Sequence, residues 1–314
     1  MLTSLSNVRV TPTLHWSESF ALWLKQTPSQ KRRDRDVKTL EAYERDIRLM
    51  ATWFEERYGV AFEPEHMNPV NVGEYFSQFE NAPATHKRKL ASVRLLIKWA
   101  IQEGILEDDP TARIPYVEAV PQAPRDVTAE EQSRLEAAAD ALEADGSLLG
   151  LRDSLIFHLM LDAGLRISEV VELSLSDLDE LEGGKMHLLG KGMKHRWPHV
   201  RSTLEKRIHA WLGRMPVSVE GTLITDEHGL SIGRETAWRR FVLIAEAAGV
   251  KATPHYMRHQ FVMNYMAAYM RGDPSRFPAA LKAASQETGD NETVLLKYYT
   301  GPRESDMRAA VEEM

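Results

Sequence analysis

Between Pro115 and Arg125 the chain reads PYVEAVPQAPR, an aperiodic stretch in which three prolines interrupt any helix or strand ladder. At 314 residues the chain is too long for one comfortable core, so this break predicts two domains. Residues 1–114 form the first, 115–125 the linker, and 126–314 the second. Upstream the periodicity is helical. Trp16, Phe20 and Trp23 recur at helical spacing, as do Leu40, Tyr43, Ile47, Met50 and Phe54. Pro64 and Pro69 break the pattern before a short segment around Val72–Phe79. Thr85 opens a further helix with Leu90, Val93, Ile97 and Ile101 on its apolar side and Lys87, Arg94 and Lys98 on another face. The tryptophans at 16, 23, 53 and 99 fit the core of such a bundle better than base stacking.

Composition removes several chemistries. With no cysteine there is no disulfide framework, no thiolate nucleophile and no sulfur-ligated zinc. No apolar run reaches the roughly 18 residues of a membrane span, and residues 1–14 lack a signal-peptide core. The expectation is a cytoplasmic protein with no membrane partner. The net charge of −7 weighs against nucleic-acid binding, but clustering decides that question more than the sum. One basic cluster is Lys31-Arg32-Arg33-Asp34-Arg35. A second is His86-Lys87-Arg88-Lys89 with Arg94 and Lys98.

The second domain begins with Thr128-Ala-Glu-Glu131, a capping box. A stretch from Leu175 to Val200 reads as strand-rich, with Lys185–Leu189 and His195–Val200 flanking a Gly190-Lys191-Gly192 turn. The remainder reads as helix. Within LDAGLRISEVVEL, Gly164 suits a helix C-cap and Ser168 an N-cap, which leaves Arg166 in a tight inter-helix turn. A guanidinium between Leu165 and Ile167 needs a partner, and Glu169 is the local one. Lys191 sits at a hairpin tip. His255 and Arg258, one helical turn apart in HYMRH, can face one site. A His255/His259 metal pair would lack both an intervening Glu and a third ligand, so no metal is expected. Tyr298-Tyr299 lies near the C-terminus.

In this order AGLRISE, GKG, HxxRH and a late tyrosine resemble the motifs of the tyrosine recombinase (phage integrase) family, to which Xer and Cre recombinases belong. The resemblance implies a mainly α fold: an N-terminal SAM-like core-binding bundle, then a mostly helical catalytic domain with a small antiparallel sheet. It implies a site-specific recombinase that cuts and rejoins double-stranded DNA through a 3′-phosphotyrosyl intermediate, with no cofactor, as a homotetramer on two duplexes and a monomer or dimer when free. Arg166 and Arg258 match the family's arginines, Lys191 its hairpin lysine and general acid, and His255 its second-motif histidine. Tyr299 matches the nucleophile, with Tyr298 as the alternative. Glu169 matches a supporting acid that orients the arginines, His259 is a supporting residue that packs near the site or hydrogen-bonds backbone, and Lys87, Arg88, Arg94, Lys98 and Arg33 are candidate DNA contacts. A catalytically impaired DNA-binding relative and a type IB topoisomerase or telomere resolvase share these features.

Two departures stand out. Asp290 occupies the position where the family usually carries His or Trp, and an anion there would repel a phosphate unless it turned away. The span from Arg258 to Tyr299 is also longer than in Xer-like members, with the surplus placed in an inserted loop at Met270–Pro278.

Overall fold

The computed structural model describes residues 15–27, 37–79, 82–117, 127–190 and 194–299. The chain divides into two compact units, Met1–Pro121 and Gln122–Met314. Arg33 and the rest of its basic cluster, linker residues 118–125, Lys191 and the tail from 300 onward lie outside the described residues.

The first unit is a helical bundle of α1 (Trp16–Gln26), α2 (Val37–Tyr58), α3 (Pro69–Ser77) and α4 (Pro83–Gln102). Helix α4 opens two residues before Thr85, with Pro83 at its first position, where the missing N–H costs no hydrogen bond. Phe20, Ile47, Phe54, Tyr75, Leu90, Val93, Ile97 and Trp99 fill the core, and Trp16, Trp23 and Trp53 pack against it. The carboxylate of Asp46, fully buried in α2, accepts from Arg88 and from Ser92 Oγ at 2.9 Å, tying α2 to α4. Arg94 also works inside the unit. Its guanidinium donates to Thr111 Oγ1 at 3.2 Å and to the Ile114 carbonyl at 3.0 Å, and lies 4.7 Å from the Tyr116 ring. Lys87 and Lys98 stay exposed on the same helix.

The second unit is built around α6 (Leu148–Asp162), whose residues from Gly150 to Leu161 are all buried. A helix buried on every side must be wrapped by its neighbours. The wrapping elements are α5 (Ala129–Ala144), α8 (Ser202–Leu212), α9 (Arg234–Ala247) and α10 (Pro254–Met270). The Thr128 capping box forms as expected: Thr128 Oγ1 accepts the Glu131 N–H, and Glu131 accepts the Thr128 N–H, both at 3.1 Å. Short α7 (Ile167–Glu172) follows the α6 turn, and α11 (Phe277–Thr288) and α12 (Glu292–Tyr299) close the unit. The sheet is a single antiparallel hairpin of β1 (Leu188–Gly190) and β2 (Lys194–Arg196).

Three details differ from the sequence expectation. Leu175–Leu178 and Leu181–Gly183 are 3-10 turns: the Asp177 carboxylate accepts the Ser174 N–H at 2.8 Å and coils the first, and the second ends on Gly184 at φ 71°. Helix α7 starts at Ile167, not after Ser168, because Glu169 accepts the Arg166 N–H at 2.7 Å and so caps the helix one turn back. The Met270–Pro278 segment is no open loop: Arg271 and Gly272 turn the chain out of α10, and a 3-10 turn at Pro274–Arg276 leads directly into α11.

Gly164 joins α6 to α7 at φ 64°, and a Cβ there would lie 2.4 Å from the ring of buried Phe261 in α10. Both constraints oppose a side chain, so Gly164→Ala should destabilise the protein by about 2–4 kcal/mol. A urea midpoint unchanged from wild type would contradict that packing. His158 in α6, 5% exposed, sits 2.9 Å from Asp162 and 3.1 Å from Asp140. Burial pulls its pKa down, but the two carboxylates outweigh burial and raise it overall. A raised pKa contributes stability below the unfolded value of about 6.5, lost as pH climbs through the folded value. The stability difference between wild type and His158→Gln should therefore shrink from pH 6 to pH 9. A difference constant across that range would refute the charged pair.

Candidate active site

Three segments distant in sequence meet at one carboxylate. Glu169, on the first turn of α7, faces Arg166 from the preceding turn, Arg196 from the end of β2 and Arg258 from the first turn of α10. Its Oε1 accepts from Arg166 Nη1 at 2.9 Å, and its Oε2 accepts from Arg196 Nη2 at 2.8 Å and lies 3.5 Å from Arg258 Nη1. Arg258 is only 3% exposed. Such a guanidinium must be satisfied from within. It donates to the carbonyls of Gly164 and Thr288, the latter at 2.6 Å. Arg196 likewise donates to the Thr288 carbonyl. Burial first, then neighbouring cations, lowers the pKa of both Arg258 and Arg196, while Glu169 opposes the shift.

Asp290 follows Gly289 in the corner between α11 and α12. It is not turned away from the arginines. Its Oδ2 accepts from Arg258 Nε at 3.0 Å and Nη2 at 2.6 Å, and its Oδ1 accepts from Arg166 Nη2. Of the two ways to accommodate an anion at this position, turning away or leaving the role to another residue, the side chain does not take the first, because two guanidiniums donate to its carboxylate. Gly289, at φ 70°, makes the corner possible, and a Cβ on it would lie 3.3 Å from Arg196.

His255 and His259 stand one turn apart on α10 with their Nε2 atoms 3.2 Å apart. Desolvation and then Arg258 lower the His255 pKa. Burial and then His255 push His259 down to about 4, so it is neutral at pH 7. A cavity of about 430 Å³ opens over Arg166, His255 and Arg258, with Arg234 and half-exposed Trp238 of α9 on its wall. A second, of about 920 Å³, lies beyond Arg166 and is lined by Trp197, Asp290 and Thr293 among others. Tyr298 and Tyr299 close α12, and their side chains lie outside the described ones. The structure thus brings together Arg166, Glu169, His255, Arg258, His259 and Asp290. Arg88, 42% exposed at its side chain, pairs with Asp46, and Arg94 donates to the Ile114 carbonyl, both within the first unit.

Arg196, Arg234 and Trp238 were not anticipated. Nothing in a lone arginine two residues before Pro198 marks it as buried, and Arg234 and Trp238 carry no motif. Only the alternation along a three-residue strand could have turned Arg196 inward, and so short a strand gives no reliable face.

The phage integrase family model matches residues 125–271. A tyrosine recombinase XerD of Ralstonia nicotianae is 28% identical over 255 residues, spanning 78% of each chain. A tyrosine recombinase XerC of Xanthomonas axonopodis pv. citri is 26% identical over 289 residues, covering 86% of this chain and 88% of that protein. Among solved structures, XerH site-specific recombinase bound to a palindromic difH substrate superposes with a TM-score of 0.67 at 16% identity, over 95% of both chains. A lambda integrase tetramer bound to a Holliday junction gives 0.66 at 16% identity, covering 93% of this chain and 77% of that one. These structural likenesses establish the fold. The four motifs, the arginine cluster, the family model over residues 125–271 and the sequence relatives all align this chain with the tyrosine recombinase (phage integrase) family.

Proposed function

We propose that this recombinase cuts and rejoins DNA at a specific site through a phosphotyrosine link, with Arg166 and Arg258 gripping the scissile phosphate. The observation that carries the reading is the convergence of Arg166, Arg258 and His255 on one cavity from segments some ninety residues apart. Phosphoryl transfer asks mainly for positioning and for positive charge fixed around the phosphate, and paired guanidinium forks supply both. The Tyr299 oxygen attacks phosphorus as the P–O5′ bond breaks. The tyrosine gives up its proton, and O5′ takes one from Lys191, the expected general acid. A neutral His255 beside Arg258 suits hydrogen bonding to the phosphate or movement of the tyrosine proton. Attack by a second strand's 5′ hydroxyl then reverses the step. One phosphate ester replaces another each time, so the reaction asks for neither ATP nor a metal.

Glu169 and His259 act through the arginines and His255, and Asp290 contacts the same two arginines. Lys87 and Lys98, exposed on α4, are the first unit's candidates for phosphate contact, and Arg33 is a further basic candidate. Arg88 and Arg94 stand as candidates beside them, each also held by a partner within the unit. By likeness to the lambda integrase tetramer on its junction, four copies would work on two duplexes, with a monomer or dimer when free. Among the described residues no helix is long and apolar enough to cross a membrane.

With nicked half-site DNA from the native locus, wild type should give a covalent adduct on a denaturing gel that Tyr299→Phe abolishes. Loss only in Tyr298→Phe would move the nucleophile by one residue. Tight sequence-specific binding with no adduct would favour a catalytically impaired DNA binder, and relaxation of supercoils lacking the site would favour a topoisomerase. Arg166→Ala should fold normally yet form adduct slower by roughly two orders of magnitude, about 3 kcal/mol. Near-wild-type cleavage by that variant would remove Arg166 from the site.

A further inference from the structure

We propose that Asp290 is a resident anion that holds the place of the scissile phosphate between Arg166 and Arg258, so that DNA must displace it before the site can act. This rests on the reading of the two arginines as the phosphate grip.

The geometry of the contact carries the idea. The Nε/Nη2 edge of Arg258 is the fork that would grip a phosphate side-on, and it already grips Asp290 Oδ2. Arg258 Nη1 donates to the Gly164 carbonyl, and Nη2 also donates to the Thr288 carbonyl. The edge facing Asp290 is thus the one an incoming ligand would have to take. The other oxygen of Asp290 bridges to Arg166. Two oxygens of one anion spanning two guanidiniums is what a phosphodiester's non-bridging oxygens would do.

The two acids of the cluster are placed differently. Glu169 also accepts the backbone N–H of Arg166 and the buried Arg196, which makes it a fixture of the fold. The Asp290 carboxylate is held by the two arginines. Its backbone is anchored separately, with Ser285 Oγ donating to its carbonyl at 2.7 Å, in a corner outside α11 and α12. The side chain can therefore rotate away while both helices stay in place. The cavity beyond Arg166, which Asp290 lines, offers room to receive it.

Charge gives the consequence. Three guanidiniums face two carboxylates, which leaves one net positive charge with Asp290 in place. A phosphate reaching the arginines competes with a tethered rival, so weakly held, non-specific phosphate is rejected, and a phosphate presented by a fully bound site prevails. Asp290 is in this sense a positioning residue that sets the threshold for cleavage.

The test uses the full chain without DNA, titrated with inorganic phosphate at constant ionic strength and followed by thermal unfolding. Asp290→Asn, nearly isosteric, should bind phosphate roughly tenfold more tightly than wild type, the worth of about one charged hydrogen bond. Asp290→Ser should show the same gain, and adding Arg166→Ala should erase it. Equal or weaker phosphate binding by both single variants would overturn the proposal. In the half-site assay Asp290→Asn should cleave at least as fast as wild type. A fall as deep as that of Arg166→Ala would overturn it too, by making Asp290 a productive support. A phosphate gain in Asp290→Asn with no adduct from any protein, wild type included, would sustain the resident anion and sink the strand-cleavage reading.

Discussion

The catalytic unit depends on the Glu169 carboxylate. One acid, 11% exposed at its side chain, balances Arg166, Arg196 and Arg258, which arrive from a helix turn, a hairpin and another helix. Arg196 and Arg258, each under a tenth exposed, carry a desolvation cost of several kcal/mol on leaving water, and without a shared counter-charge the three guanidiniums would repel one another. The same carboxylate caps α7 by accepting the Arg166 N–H. A single side chain thus sets the backbone of the turn, the direction of Arg166 and the seating of the hairpin's last residue. Glu287 repeats the device nearby: 7% exposed, it accepts the His199 N–H at 2.9 Å and contacts its ring at 2.6 Å, fastening the chain after β2 to α11.

Around this carboxylate the fold supplies rigidity where the chemistry needs it. Arg258 is immobilised by two carbonyls, one from Gly164 at the α6–α7 turn and one from Thr288 at the end of α11. The turn that carries Arg166 is in turn pressed against Phe261, three residues along the helix from Arg258. The distance between the two arginines is therefore set by core packing, not by the loops themselves, which is how a preorganised cationic site keeps its charge aimed with little reorganisation. A site so cationic attracts any anion within reach, and Asp290 is the nearest one. The acid that departs from the family pattern is thereby absorbed by the electrostatics of the residues that keep to it.

What was legible in the sequence was local. The capping box at Thr128, the turn at Gly164, the Arg166–Glu169 pair and the one-turn spacing of His255 and Arg258 all involve partners within four residues, where spacing alone determines proximity. The mainly helical fold followed from periodicity. What could not be read was long-range. Arg196 meets Glu169 across 27 residues, Asp290 meets Arg166 across 124, and neither leaves a periodic trace. The partners made by the basic face of α4 were hidden for the same reason. Arg88 and Arg94 have partners in α2 and in the segment after the helix, so charge on a helical wheel did not tell an outward cation from one tying two elements together.

The most direct test of the account is whether the arginines act through charge on the scissile phosphate. A half-site carrying a methylphosphonate at the scissile position keeps the bond to be broken but removes the negative charge. If Arg166 works as described, Arg166→Ala should cleave this substrate within about tenfold of wild type, against the roughly hundredfold defect on the natural phosphodiester. An equally large defect on both substrates would contradict the account, because the loss would then arise from a distorted site and not from a missing charge.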